Sequence, residues 1–377
     1  MAARHDDLVG RDNVRHLIDT PALMLDADAF EHNIRLMAQR VTGSGKALRP
    51  HAKTHRCLAI ANKQIEAGAA GICCAKLGEA EIFAAGGIGD ILITSPVVTP
   101  TAIKRLVALN ERMPALKAVA DNPVNVAAIA AEAGERPLTL FIDIDPGIRR
   151  TGVADAEEAL AVADAIAATG GKLVYGGVQF YCGAHQHMEE VEARTEAIRE
   201  RTGYARAIVE ALSAHGFVPP VITGSGTGTH QIDLAEDFFT EFQIGSYIFL
   251  DHQYEVCAVD GLPAPSEQLK PSLFVDTSII HNNSPGMVTV DAGFKALSTD
   301  GGTPRVVTPG YETAAYYFMG DEHGALAGFE GAGALGERIS MIPPHCDPTV
   351  NLYNHIHVMR GDRLEAIWPI EARGASA

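Results

Sequence analysis

The sequence predicts an α/β protein, a (β/α)8 TIM barrel followed by an all-β domain. Three observations carry that prediction. Short apolar runs rich in Val and Ile alternate with amphipathic stretches as far as residue 254, the rhythm of βα units around a parallel sheet. Eight such runs within about 230 residues suit a closed barrel better than an open doubly wound sheet. From residue 255 the helical patterns nearly vanish, and β runs broken by Asn-Asn-Ser-Pro-Gly and Arg-Gly-Asp take over.

Taken in order, the first twenty residues carry no pattern that fixes their placement, and the β domain is one home for them. PALMLDA (21–27) opens the barrel region. The eight counted runs are LRPHAK (48–53), GICCAK (71–76), DILITS (90–95), KAVAD (117–121), LTLFIDI (138–144), GGVQFYCG (176–183), PVITGSG (220–226) and FQIGSYIF (242–249). Between them lie helical patterns such as AFEHNIRLMAQRV, PTAIKRLVALNERM and ADAEEALAVADAIAATGG. The last begins with an Asp suited to an N-cap and ends in Gly-Gly. We therefore expect a barrel over 21–254 and a β domain over 255–377, in which SLFVDTSIIHNNSPGMVTVDAGF and IHVMRGDRLEAIWPIEA supply strands.

Composition narrows the chemistry. A net charge of -17 disfavours nucleic acid and anionic membrane as partners and points to a small molecule. The start MAARHDDLVGRDN has no apolar signal region, and no later stretch reaches the roughly 20 apolar residues of a membrane span, so a cytoplasmic protein is expected. Six cysteines in so long a chain form no disulfide framework, and adjacent Cys73 and Cys74 lack zinc-knuckle spacing; reduced, buried thiols are expected.

Barrels of this type do their chemistry at the C-terminal ends of the strands, and the unusual polar residues fall there. Lys53 closes the first counted run, Arg150 follows the fifth in DIDPGIRRTG, and Tyr181 lies near the end of the sixth. GSGTGT (224–229) follows the seventh, and Gly245-Ser246-Tyr247 ends the eighth. A lone lysine is usually a solvated charge, and GSGTG alone is as often a tight turn as a phosphate cradle. Together at matching strand ends they suggest pyridoxal 5'-phosphate, its aldehyde on Lys53 and its phosphate at the glycine turn.

RPHAKTH, GICCAKLGEAE, GVQFYCGAHQH, TGSGTGT, QIGSYIFLD, VDAGFKA, DEHG and HCDPTVNLY resemble, in this order and over almost the whole chain, the D-threonine aldolase and D-serine dehydratase family, whose barrel is similar to that of alanine racemase. The resemblance implies Lys53 as the Schiff-base lysine and Arg150 near the pyridine nitrogen. It also implies Tyr181 in the pocket, and Gly226, Thr227, Ser246 and Tyr247 around the phosphate. Cys182 receives no role. The expected assembly is a homodimer.

The motif PPHCDPT bears on the reaction. His345 and Asp347 are two apart, and prolines 343, 344 and 348 favour an extended backbone that would send both side chains to one side. An imidazole with a carboxylate suits Mn, Mg, Co or Zn, and Mn is the expected ion. Rival histidines exist. His355 and His357 read as strand-surface residues, since no carboxylate accompanies them. His187, two from His185, is a candidate pocket-lining residue, His51 shares the lysine's side of its strand, and His55 reads as packing at the start of the next helix. By resemblance, D-threonine aldolases carry His-x-Asp at the clamp and D-serine dehydratases His-x-Cys. The expectation is thus an aldolase that splits a D-β-hydroxy-α-amino acid into glycine and an aldehyde, catalysed by Lys53, His345 and Asp347. A dehydratase of D-serine or 3-hydroxy-D-aspartate, a racemase and a non-catalytic cofactor carrier are the alternatives.

Overall fold

The computed structural model describes residues 5–257, 268–331 and 333–377. The chain forms two compact units, one of residues 1–36, 54–59 and 246–373, the other of 37–53, 60–245 and 374–377. Strand β1 (Ala22–Asp26) belongs to the first. The second holds β2 (Ala47–Leu48), β3 (Ile72–Cys74), β4 (Asp90–Ile93), β5 (Ala115–Ala120), β6 (Leu138–Ile144), β7 (Leu173–Phe180), β8 (Val221–Gly224) and β9 (Glu241–Phe242).

These eight strands form one parallel sheet in the order β2-β9-β8-β7-β6-β5-β4-β3. Its ends meet. Ala70 N donates to Leu48 O and Cys73 N to Pro50 O, both at 2.8 Å, and a parallel bridge pairs His51 with Cys73. The expected barrel is the observed one. Two runs are shorter as strands than their apolar length suggests: in LRPHAK the regular strand stops at Leu48 before Pro50, which has no N–H to give, isolated pairing reaches His51, and Ala52–Thr54 turn into a 3-10 helix. The same happens in FQIGSYIF, where Ser246–Ile248 form a 3-10 turn. The helix Ala156–Ala167 starts as its sequence indicates, Glu158 N donating to the side chain of Asp155 at 2.9 Å.

Because alternate residues of a strand face the same way, the barrel interior reads as layers. At the N-terminal end Arg49 pairs with Asp90 at 2.5 Å and with Glu241 at 2.9 Å, and Lys117 joins Asp90 at 2.5 Å. Above them lie Cys73, Leu92, Val119 and Phe141, an apolar plug against Val221. A third layer is polar and closes the C-terminal end. There Gln179 Nε2 donates to Asp143 Oδ1 at 2.8 Å and to Thr94 O at 3.1 Å, while Gln243 Nε2 donates to Gln179 Oε1 at 3.2 Å.

The other unit is built on β1 with β10 (Leu273–Ser284), β11 (Met287–Val290), β12 (Arg305–Val306), β13 (Ala315–Phe318), β14 (Gly324–Ala327), β15 (Arg338–Ile342), β16 (His355–Arg360) and β17 (Arg363–Pro369). Its path runs β13-β14-β11-β10-β1-β16-β17, and β15 joins β10 and β12. β1 runs antiparallel to β10 and parallel to β16. The N-terminal residues Leu8, Val14 and Ile18 pack with Met24, Met359 and Leu364 of the sheet. Arg15 forks onto the fully buried Asp276 through two 2.8 Å hydrogen bonds. All six cysteines are free and buried. Among the described residues no helix is long and apolar enough to cross a membrane.

Candidate active site

In the barrel unit, Lys53 sits half-buried in the 3-10 turn that follows β2, its backbone N–H directed at His51 Nδ1 at 3.4 Å. His51 Nε2 lies 3.0 Å from Thr94 Oγ1, at the polar top of the barrel interior. Beyond β6, the exposed guanidinium of Arg150 stacks 5.6 Å from the ring centre of the half-buried Tyr181. Asp143 stands close by. Burial lifts its carboxyl to about 6, against the hydrogen bonds from Gln179 and Thr151 and the charge of Arg150.

The glycine turn between β8 and the helix His230–Glu236 has a different reason for its glycines than ligand approach alone. A Cβ on Gly226 would lie 2.4 Å from Gln186 Oε1, and one on Gly228 1.9 Å from Gln186 O. Gln186 fills those spaces. Its Oε1 accepts from Gly228 N at 2.9 Å, and its Nε2 donates to Thr229 Oγ1 at 3.0 Å. Thr227 is buried, and its hydroxyl has no hydrogen-bond partner among the described residues. An unanswered hydroxyl in a turn just before a helix suits a phosphate.

In the other unit Ser246 and Tyr247 are buried in their 3-10 turn. Asp347 Oδ2 accepts from Thr54 Oγ1 at 2.5 Å and from Ser246 Oγ at 3.3 Å; the two hydroxyls are themselves 3.1 Å apart. Thr54 is the residue bonded to Lys53. His345 Nε2 lies 3.8 Å from Asp347 Oδ2, a separation that two donors each about 2.0–2.2 Å from one ion can reach. An imidazole nitrogen and a carboxylate oxygen so placed fit a divalent metal, and no third His, Cys, Asp or Glu joins them among the described residues.

The backbone beneath this pair departs from the extended run its prolines suggest. His345 is extended, but Cys346–Val350 form a short helix. Pro348 is tolerated because it falls in the first turn, where no N–H is needed. Cys346, between the pair, is buried, and its amide donates to the buried Asp251 at 2.7 Å. His345 itself is held by residues the sequence does not flag: Asp300 Oδ2 lies 2.8 Å from its Nδ1, and Ser298 Oγ contacts its N at 3.1 Å and its O at 3.0 Å. Asp300 is 45 positions away in the chain, so no spacing could reveal it.

The rival histidines fall elsewhere. His357 is not a strand-surface residue but a buried one, 9% exposed, with Nε2 3.3 Å from His5 Nδ1; burial keeps it neutral and brings its pKa to about 4. Its neighbour His355 is half-buried. His187 is exposed, and the half-buried His185 is pushed below its ordinary pKa by burial. His55 packs as expected, accepting from Cys57 N at 3.0 Å just before the helix Leu58–Glu66.

Comparison with known proteins adds a family. Residues 25–253 match the alanine racemase N-terminal domain, and residues 272–359 a putative serine dehydratase domain. The chain is 37% identical to a D-threonine aldolase of an Arthrobacter species over 95% of its length and 94% of the relative's. It is 35% identical to a 3-hydroxy-D-aspartate aldolase of Paracoccus denitrificans strain Pd 1222, over 95% and 92%. The crystal structure of D-threonine aldolase from Filomicrobium marinum superposes with a TM-score of 0.91 at 32% identity, covering 96% of this chain and 98% of that one. The layered barrel, the sheet built on β1 and these matches along nearly the whole sequence have one explanation: the chain belongs to the D-threonine aldolase and D-serine dehydratase family of lyases with an alanine-racemase-like barrel.

Proposed function

We propose that the protein is a carbon–carbon lyase dependent on pyridoxal phosphate and a divalent metal, cleaving D-β-hydroxy-α-amino acids such as D-threonine to glycine and an aldehyde. The observation that carries this reading is the His345–Asp347 pair, an imidazole facing a carboxylate at 3.8 Å. A thiolate in the place of Asp347 would favour zinc; a carboxylate makes a harder, more exchangeable site suited to manganese. A homodimer and a cytoplasmic location belong to the same proposal.

When bound, pyridoxal phosphate supplies an electron sink conjugated with Cα, and the metal supplies Lewis acidity toward the β-hydroxyl. By the family resemblance, Lys53 would hold the cofactor through its amine, Thr227, Ser246, Tyr247 and the backbone of Gly226 would receive the phosphate, and Arg150, Tyr181 and His51 would attend the ring. A permanent cation such as Arg150, if it faced the ring nitrogen as the resemblance implies, would disfavour protonation there and moderate the sink. His345 and Asp347 fix where the Lewis acidity acts, and the hydroxyls of Thr54 and Ser246 hold the Asp347 carboxylate in place. Once the β-hydroxyl has lost its proton, the Cα–Cβ bond breaks. The hydroxyl-bearing carbon departs as the aldehyde, the electron pair stays with Cα, and a proton taken up there completes glycine.

The match to a serine dehydratase domain over the segment that carries His345 and Asp347 supports a second reading. In it the same residues would expel hydroxide after Cα loses its proton, giving ammonia and a keto acid. Incubating the manganese-loaded holoenzyme with D-threonine and with 3-hydroxy-D-aspartate, then separating glycine from ammonia, decides between them. Glycine with aldehyde is expected, and the L isomers should be inert. Ammonia and keto acid as main products would replace the aldolase with the dehydratase.

A further inference from the structure

We infer that Asp300 is a positioning residue for the metal site, its carboxylate fixing the tautomer and ring plane of His345 so that Nε2 is the ligating atom. The inference rests on the reading of His345 and Asp347 as the ion holders. A neutral imidazole carries one N–H and one lone pair. Asp300 Oδ2, 2.8 Å from Nδ1, can only accept, so the proton sits on Nδ1 and the lone pair on Nε2. That is the nitrogen facing Asp347.

The rest of the segment serves the same histidine. Ser298 Oγ accepts from His345 N at 3.1 Å and donates to His345 O at 3.0 Å. Ser298 N donates to Thr349 Oγ1 at 3.0 Å, and that hydroxyl donates to His345 O at 2.8 Å. Residues 298–300 thus grip His345 at its amide, its carbonyl and its ring. Gly301 lets the segment lie close to the helix His252–Val256, since a Cβ there would come within 2.9 Å of Gln253 Cδ.

Packing does not require the Asp300 carboxylate. The side chain is 56% exposed, and an ion pair that open contributes little to stability. Its effect on the ring is different. A carboxylate on the far nitrogen raises the basicity of the ligating one and removes the freedom of the ring to flip. Such partners typically contribute about 10–100-fold in metal affinity, and the exposure of Asp300 places it near the lower end.

The experiment is a Mn²⁺ titration of the chelator-treated, cofactor-loaded protein, followed by calorimetry and by electron paramagnetic resonance of the free and bound ion. Wild type, Asp300→Ala, Asp300→Asn and His345→Ala are compared. Asp300→Ala should weaken Mn²⁺ about tenfold and broaden the bound signal. Asp300→Asn, which keeps an acceptor oxygen without the charge, should fall between it and wild type. Without metal, the cofactor absorbance and thermal midpoint of both Asp300 variants should match wild type. If Asp300→Ala binds Mn²⁺ as wild type does while His345→Ala has lost it, this inference alone is overturned. If His345→Ala also binds as wild type does, the reading of the ion site fails and takes the inference with it.

Discussion

A carboxylate enclosed by protein with no cation against it keeps its proton to unusually high pH, and among the described residues Asp233 is such a group. It is fully buried beside the glycine turn, Thr229 Oγ1 donates to it at 2.6 Å, and burial lifts it to about 6. Its folded value lies above its unfolded one, so its contribution to stability is complete below about pH 4 and is lost as pH rises through about 6. Asp233→Asn has no such titration. The stability of wild type relative to this variant, from urea unfolding, should therefore fall by about 2 kcal/mol between pH 4 and pH 7. A difference independent of pH would show that the carboxylate is ionised throughout. At this scale sequence is uneven evidence. Lys53, Arg150 and Tyr181 could be picked out because strand order alone puts them at one end of a barrel. Asp300, Ser298 and Gln186 could not, because each acts through a partner that only the folded chain brings near.

Elements were legible where local pattern and local structure agree. Asp155 caps its helix, and LTLFIDI is a strand over its full length. Local pattern failed at HCDPT, where prolines that suggest extension flank a helical turn, and at PHAK, where the regular strand has already stopped before Pro50. β1 shows a different limit. PALMLDA looks like the start of a βα unit because a helix, Ala27–Gly43, does follow it. Which strands it pairs with is a tertiary matter, and its partners β10 and β16 lie about 250 and 330 positions further on. The central place of β1 has a measurable outcome. A fragment of residues 255–377 should remain unfolded by circular dichroism, since its sheet would be split between β10 and β16. Adding a peptide of residues 1–36 should restore β signal. A cooperatively folded fragment on its own would show that β1 is dispensable.

For the whole molecule, the two architectures follow from the change of rhythm near residue 255, whereas the interleaving of the chain does not. Residues 54–59 belong with the β-rich unit though the segments on both sides belong with the barrel. Periodicity reports the kind of structure a segment adopts, and says nothing of which core receives its side chains. The composition-level exclusions rest on different physics: a net charge of -17 is a property of the entire surface, and it is indifferent to topology.

Thr54 gives that interleaving a practical meaning. One peptide bond separates it from Lys53, and one 2.5 Å hydrogen bond joins it to Asp347. In the proposed enzyme, an ion on Asp347 would compete with the Thr54 hydroxyl for that carboxylate and so bear on the residue next to Lys53, and the cofactor band should report whether metal is loaded. Adding Mn²⁺ to chelated holoenzyme should change the visible circular dichroism of the cofactor band before any substrate is present, and Thr54→Val should blunt that change while leaving the band itself. An unchanged response in Thr54→Val would mean that the signal travels by another route.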